Sequence, residues 1–173
     1  MSTSSALFSP ALQLGLALKK RAWMFASAES CTGGLLAAAM TNEPGSSAWF
    51  ERGFVTYSNQ AKQDELQVNI DTLERFGAVS EETAMEMASG VLSACAGVHL
   101  AVSTTGIAGP DGATQGKPVG LVCFGFAQRT SDGVVTRAVS RIFTGNRQAI
   151  RQQAVNFALE TALELLNPLE PRP

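Results

Sequence analysis

Histidine is almost missing from this chain: His99 is the only one in 173 residues. It sits between Val98 and Leu100 at a strand entrance, which reads as a packed structural position. A Ser-His-Asp triad or a papain-like Cys-His pair therefore has no suitable base. The three cysteines, Cys31, Cys95 and Cys123, are widely spaced, odd in number and form no CxxC pair. With one histidine there are too few ligands of the usual kinds for zinc, so no metal is expected, and the cysteines read as reduced structural thiols. Charge is also sparse, at 16 % of residues with a net charge of −2 and no Lys/Arg stripe, which argues against a nucleic-acid partner. No later segment approaches the roughly 20 apolar residues needed to cross a bilayer. The leucine-rich start carries its basic run, Lys19-Lys20-Arg21, after the apolar residues, unlike an export signal, so a cytoplasmic protein without membrane contact is expected.

What is present is a hydrophobic fraction of 45 %, enough for one packed domain, expected over residues 10–167 with flexible ends at 1–9 and 168–173. Residues 10–20 have helical spacing, 22–28 form a short apolar run suited to a buried strand, and 31–40 read as a helix. A loop follows at 42–47. Strand character returns at 54–57, and Ser58 or Asn59 caps a short helix carrying Lys62. Asp71 looks like another cap, Gly77 a stop, and Ser80 opens a helix reaching about residue 97. Leu100 to Val102 is a strand core running into Ser103-Thr104-Thr105-Gly106, and residues 106–112 are too glycine-rich for regular structure. Two strands, 119–127 and 134–143, are joined by a turn at 131–133, and a last helix covers 147–166. Helices alternating with strands, plus one hairpin, imply an α/β fold: a three-layer α/β/α sandwich around a mixed sheet. Ligands in such sheets sit beyond strand ends, and Ser30 and Thr104 both follow apolar strands.

Several residue types there can carry chemistry. A lysine replaces histidine as base once it is neutral, which burial achieves by lowering its pKa from about 10.4. Lys62, just after a strand, fits that role, and it also fits an ordinary solvated helix. Ser46 and Ser47 stand in a loop that exposes a hydroxyl beside backbone N–H groups, or simply turns the chain. Ser30 opens Ser30-Cys31-Thr32-Gly33-Gly34 at a strand-to-helix junction and reads as an N-cap, a phosphate ligand or a nucleophile. The Gly106 to Gly112 loop after Thr104 and Thr105 suits a nucleotide, with a surface turn as the simpler use. Arg147 and Arg151, four residues apart on the last helix, suit either a phosphate or solvent. Trp49 and Phe50 offer a stack for an aromatic ring, with core packing as the simpler use.

Taken together, Ala28-Glu29-Ser30-Cys31-Thr32-Gly33-Gly34, Gly45-Ser46-Ser47-Ala48-Trp49-Phe50, Val55-Thr56-Tyr57-Ser58-Asn59 and Ala61-Lys62 resemble the CinA C-terminal domain family. Gly77 to Thr83, Thr105 to Pro110, Lys117 to Gly120 and Phe143 to Arg147 continue the resemblance in order, over about residues 10–166. One departure is Asn146, where an aspartate precedes the arginine in the family pattern. The resemblance implies a nicotinamide-nucleotide amidohydrolase. Such an enzyme converts nicotinamide mononucleotide to nicotinate mononucleotide and ammonia in pyridine nucleotide salvage, by a serine–lysine mechanism and without a cofactor. Matched motif to motif, it implies Ser47 as nucleophile, Lys62 as base and Tyr57 tuning the lysine or holding the serine, with Ser30 as the alternative nucleophile. Substrate contacts are implied for Ser30, Thr32, Gly33, Thr104, Thr105, Gly106 and Arg147. The expected partner is a small-molecule nucleotide. A homo-oligomer, with a dimer favoured, is expected through the apolar hairpin. The competing reading is a non-catalytic nucleotide-binding or regulatory domain linked to competence or DNA-damage responses.

Overall fold

Side-chain alternation along the strands sets up two cores, one on each face of a single sheet. The computed structural model describes residues 8–166, so the expected loose end at 168–173 and that at 1–9, apart from Phe8 and the α1 cap Ser9, lie outside the described residues. The element order is α1 (Pro10–Lys20), β1 (Phe25–Glu29), α2 (Leu35–Met40), β2 (Phe50–Val55), α3 (Asn59–Leu66), α4 (Ile70–Phe76), α5 (Glu81–Ala94), β3 (Leu100–Gly106), β4 (Leu121–Thr130), β5 (Gly133–Ile142) and α6 (Arg147–Leu166). The sheet runs β2-β1-β3-β4-β5. Strand β1 is parallel to both β2 and β3, and the β4–β5 hairpin continues the sheet antiparallel.

Phe25, Leu100, Val102, Phe124 and Phe126 point to the face covered by α1, α2 and α6. Ala26, Ala28, Ala101 and Ala127 point to the other face, against Leu66, Leu73 and the Met87–Val91 stretch of α5. Helices on both faces of a mixed sheet make the expected three-layer α/β/α sandwich. The α2 crossover from β1 to β2 and the α3–α5 crossover from β2 to β3 lie on opposite faces. In such sheets ligands bind beyond the carboxyl ends of the parallel strands, here β1, β2 and β3.

Local boundaries differ from the sequence reading for identifiable reasons. Strand β1 starts at Phe25, because Arg21, Ala22 and Trp23 turn back to bond Leu18 and Lys19 carbonyls at the end of α1. Helix α2 starts at Leu35, because Gly33 and Gly34 take φ of +58° and +101° and keep residues 31–34 as turns. Strand β2 begins at Phe50, four residues earlier than expected; it is an edge strand whose exposed Glu51 and Arg52 hide the strand pattern. The cap of α4 is Asn69, whose side chain accepts from the Asp71 N–H, and α5 stops at Ala94. The hairpin strands sit at 121–130 and 133–142, with the turn where expected. His99 is structural: its Nδ1 accepts from the Met24 N–H at 3.1 Å and its ring stacks on Trp23.

Candidate active site

The carboxyl ends of β1 and β2 meet at Lys62. Ser58 caps α3, accepting from the Ala61 N–H at 3.0 Å, and the helix then turns Lys62 and Leu66, four residues apart, inward. Helix α3 is otherwise polar, and Lys62 occupies its apolar stripe. The side chain is 0 % exposed. Its Nζ lies 3.1 Å from Ser30 Oγ, 2.9 Å from the Thr56 carbonyl and 3.3 Å from the Tyr57 carbonyl. Burial holds the amine down to about 8, with a smaller opposing effect from Cys31.

This arrangement accommodates either protonation state. A neutral amine has two N–H donors and one lone pair. It can donate to the two carbonyls and accept the hydroxyl proton of Ser30. A protonated amine donates to all three oxygens, and the Ser30 hydroxyl then turns to the Tyr57 carbonyl at 3.5 Å. One proton shift separates the two patterns. Cys31, next to Ser30, is unsuited to attack, since burial pushes its thiol up to about 12.

Ser30 follows β1 and donates its N–H to the Thr104 carbonyl at 2.9 Å. The turn after it is held from two sides. Glu29, fully buried, accepts from Thr32 Oγ1 at 2.7 Å, Ser27 Oγ at 3.2 Å and the N–H groups of Leu36 and Ala37 at 2.8 and 3.0 Å. The two oxygens of a carboxylate have room for all four donors. Thr32 spends its hydrogen on Glu29, so in the 2.7 Å contact between the Thr32 and Thr104 hydroxyls Thr104 is the donor. From the other side, Arg151 donates to the carbonyls of Cys31 at 3.1 Å and Thr32 at 3.0 Å.

The other sequence-derived candidates fall into place as follows. Ser47 stands apart from Lys62. It is exposed on a one-turn 3-10 helix, Ser46–Ala48, ahead of β2, whereas Lys62 follows the far end of that strand. The six-residue strand between them spans about 17 Å from its first residue to its last, at about 3.3 Å per rise. Consistently, the neighbouring Trp49 carbonyl bonds the N–H of Phe25 at the start of β1, while Ser30 stands past its end. The structure does not bring Ser47 to Lys62; it brings Ser30.

Tyr57 meets the lysine and Ser30 only through its carbonyl. Its ring is 60 % exposed, and its hydroxyl accepts from Arg147 at 3.1 Å. Arg147 also donates to the Gly109 carbonyl at 2.8 Å, tying the loop after β3 to the loop after β2. Asn146 caps α6 by accepting from the Ala149 N–H at 2.9 Å. Thr32 and Thr104 support the Ser30 turn from within. Thr105 faces the opposite side of the sheet, donating to the Ala78 carbonyl at 2.7 Å. Gly106 lets β3 approach β4, since a Cβ there would sit 2.6 Å from the Leu121 carbonyl. Gly33 is exposed on the turn, beside Arg151. Trp49 is buried in the core with its Nε1 on the Met40 carbonyl, so it is not a stacking surface.

Two roles escaped the sequence reading: the anchoring of the Ser30 turn by Glu29 and by Arg151. An acid just ahead of a small-residue helix start was the available signal for Glu29. Nothing local distinguishes Arg151 from a solvated helix arginine. Among the described residues no three His, Cys, Asp or Glu side chains gather as a metal-binding group, and no helix is long and apolar enough to cross a membrane.

Fold and site thus define an α/β/α sandwich with a buried lysine–serine contact at the ends of the parallel strands β1 and β2. The chain belongs to the CinA C-terminal domain family, whose model matches residues 8–166. It is 57 % identical to the nicotinamide-nucleotide amidohydrolase PncC of Enterobacter agglomerans, across 88 % of this chain and 90 % of that protein. It is 50 % identical to the protein of the same name from Escherichia coli, across 92 % and 94 %. Among solved structures, the competence damage-inducible protein A of Klebsiella pneumoniae superposes with a TM-score of 0.86 at 37 % identity, covering 93 % of this chain and 97 % of that one. The competence/damage inducible protein CihA of Agrobacterium tumefaciens gives 0.80 at 42 %, covering 96 % and 99 %.

Proposed function

We propose that this protein hydrolyses the carboxamide of nicotinamide mononucleotide to nicotinate mononucleotide and ammonia, with Ser30 as nucleophile and Lys62 as its base. The relatives named as amidohydrolases of nicotinamide nucleotides support the substrate. The observation that carries the chemistry is the 3.1 Å approach of a fully buried lysine to a serine hydroxyl.

In this reading neutral Lys62 takes the Ser30 proton as Oγ adds to the carboxamide carbon. The protonated amine then gives that proton to the amide nitrogen, the C–N bond breaks, and ammonia leaves. Lys62, neutral again, takes a proton from water as it attacks the ester. Collapse of the second tetrahedral species returns that proton to Ser30 Oγ and frees the nicotinate. The Thr56 and Tyr57 carbonyls keep Nζ on the Ser30 side throughout. Arg147, held at the rim by Tyr57 and Gly109, is the candidate phosphate contact.

The cytoplasm as location and a homodimer as assembly belong to the same proposal. Light scattering at working concentration should return a dimer mass; a monomer mass contradicts that part. Purified protein should release one ammonia per nicotinamide mononucleotide consumed. Binding of the nucleotide with no ammonia would instead favour a binding or regulatory domain.

A further inference from the structure

The carbonyls of Cys31 and Thr32 both point at one guanidinium, that of Arg151. In a planar trans peptide the N–H points opposite to the C=O that precedes it. The N–H groups of Thr32 and Gly33 are therefore both turned away from Arg151. For Gly33 that direction is visible: its N–H reaches the Ser30 carbonyl at 3.1 Å. The side away from Arg151 is thus the side of the Ser30 carbonyl. The Thr32 N–H takes no acceptor among the described residues. A buried donor left unpaired costs free energy, so a turn built to present one calls for an explanation in function. Successive N–H groups turned to one side of such a turn form a concavity suited to an anionic oxygen.

We propose that Arg151 is a positioning residue, which fixes the peptide after Cys31 so that the Thr32 N–H stabilises the oxyanion formed when Ser30 adds to the carboxamide. This rests on Ser30 being the nucleophile. Arg151 does not touch the substrate. It acts from behind the turn, while Glu29 holds the same turn through the Thr32 hydroxyl. The division also explains why two arginines one helical turn apart behave differently. Arg147 reaches outward to Tyr57 and the Gly109 loop, and Arg151 reaches inward to the turn after Ser30.

The test compares Arg151→Gln with wild type on nicotinamide mononucleotide and on its aldehyde analogue, which Ser30 converts to a hemiacetal that mimics the tetrahedral species. The expected result is a kcat lower by about 100-fold, the usual order for loss of an oxyanion donor, with KM changed little. Affinity for the aldehyde should fall by the same factor, and affinity for nicotinate mononucleotide should hold. The acid limb of the pH profile should stay in place, since Lys62 keeps its contacts. Guanidinium ions added to Arg151→Ala should restore part of kcat, which a variant that merely misfolds would not show. Unchanged kcat, or a KM and product affinity that weaken together with the aldehyde affinity, overturns the inference. If wild type itself releases no ammonia, the proposed function fails instead, and the two failures are told apart.

Discussion

Lys62 Nζ and Ser30 Oγ lie 3.1 Å apart, brought together from residues 32 positions apart by the parallel pairing of β1 and β2. On the proposed mechanism, the reactive serine is the one on the turn after β1. Ser30→Ala and Lys62→Ala should each lower kcat by at least about 1,000-fold with folding intact, as expected when a nucleophile or its base is lost. Ser47→Ala should stay within about twofold of wild type, in keeping with a surface change. Ammonia release by the three purified variants checks this, and a dead Ser47→Ala beside an active Ser30→Ala reverses the assignment.

Catalysis should follow the neutral form of Lys62. Burial holds this amine down to about 8, so at neutral pH most of it is protonated. The value of kcat/KM should rise with pH through about 8 and then level off. A profile flat from pH 6 to 9 would mean that another group acts as base.

The same burial makes stability depend on pH. The folded amine loses its proton near 8, while the unfolded chain keeps it to about 10.5. Between those values the unfolded state binds more protons, so the folded state gains stability as pH rises. Below the folded value the full cost of the buried charge is present. Relative to Lys62→Met, wild type should gain about 3 kcal/mol across that interval. Urea unfolding at pH 7 and pH 10.5 measures it, and a pH-independent difference between the two proteins would contradict it.

Glu29→Gln replaces a carboxylate that accepts four hydrogen bonds by an amide whose NH2 must face a donor. Such a buried mismatch costs about 2–4 kcal/mol. The variant should melt several degrees lower, and its residual activity should fall mainly in kcat. An unchanged melting temperature contradicts the anchoring role.

Tyr57→Phe removes the hydroxyl that Arg147 grips but leaves the Tyr57 carbonyl on Lys62. The expected result is a severalfold higher KM, on the order of the loss of one exposed charged hydrogen bond, with kcat nearly retained. A collapse of kcat would make the phenol itself catalytic.

Much of the fold was legible in the sequence because its signals are local. The helical spacing of residues 10–20 marks α1, Ser58 and Ser80 cap α3 and α5, and the turn at 131–133 closes the hairpin. The first half of β2 was not, because an edge strand with Glu51 and Arg52 outward lacks alternation. The candidate site divided along the same line. Lys62 was singled out, and Ser30 stood beside it as an alternative. Choosing between Ser30 and Ser47 needed to know which end of the sheet each occupies, a tertiary fact. Burial of Lys62 was equally hidden: in α3 it reads as one more polar residue until Ser30 and the carbonyls after β2 gather around it. Arg151 was hidden for the same reason, since its partners are carbonyls 119 and 120 residues away.

The most direct test of the Ser30–Lys62 account is to quench wild-type protein with acid during turnover of nicotinamide mononucleotide and map the acylated peptide by mass spectrometry. The account predicts a nicotinoyl-mononucleotide ester on Ser30. An ester on Ser47, or a thioester on Cys31, would contradict it.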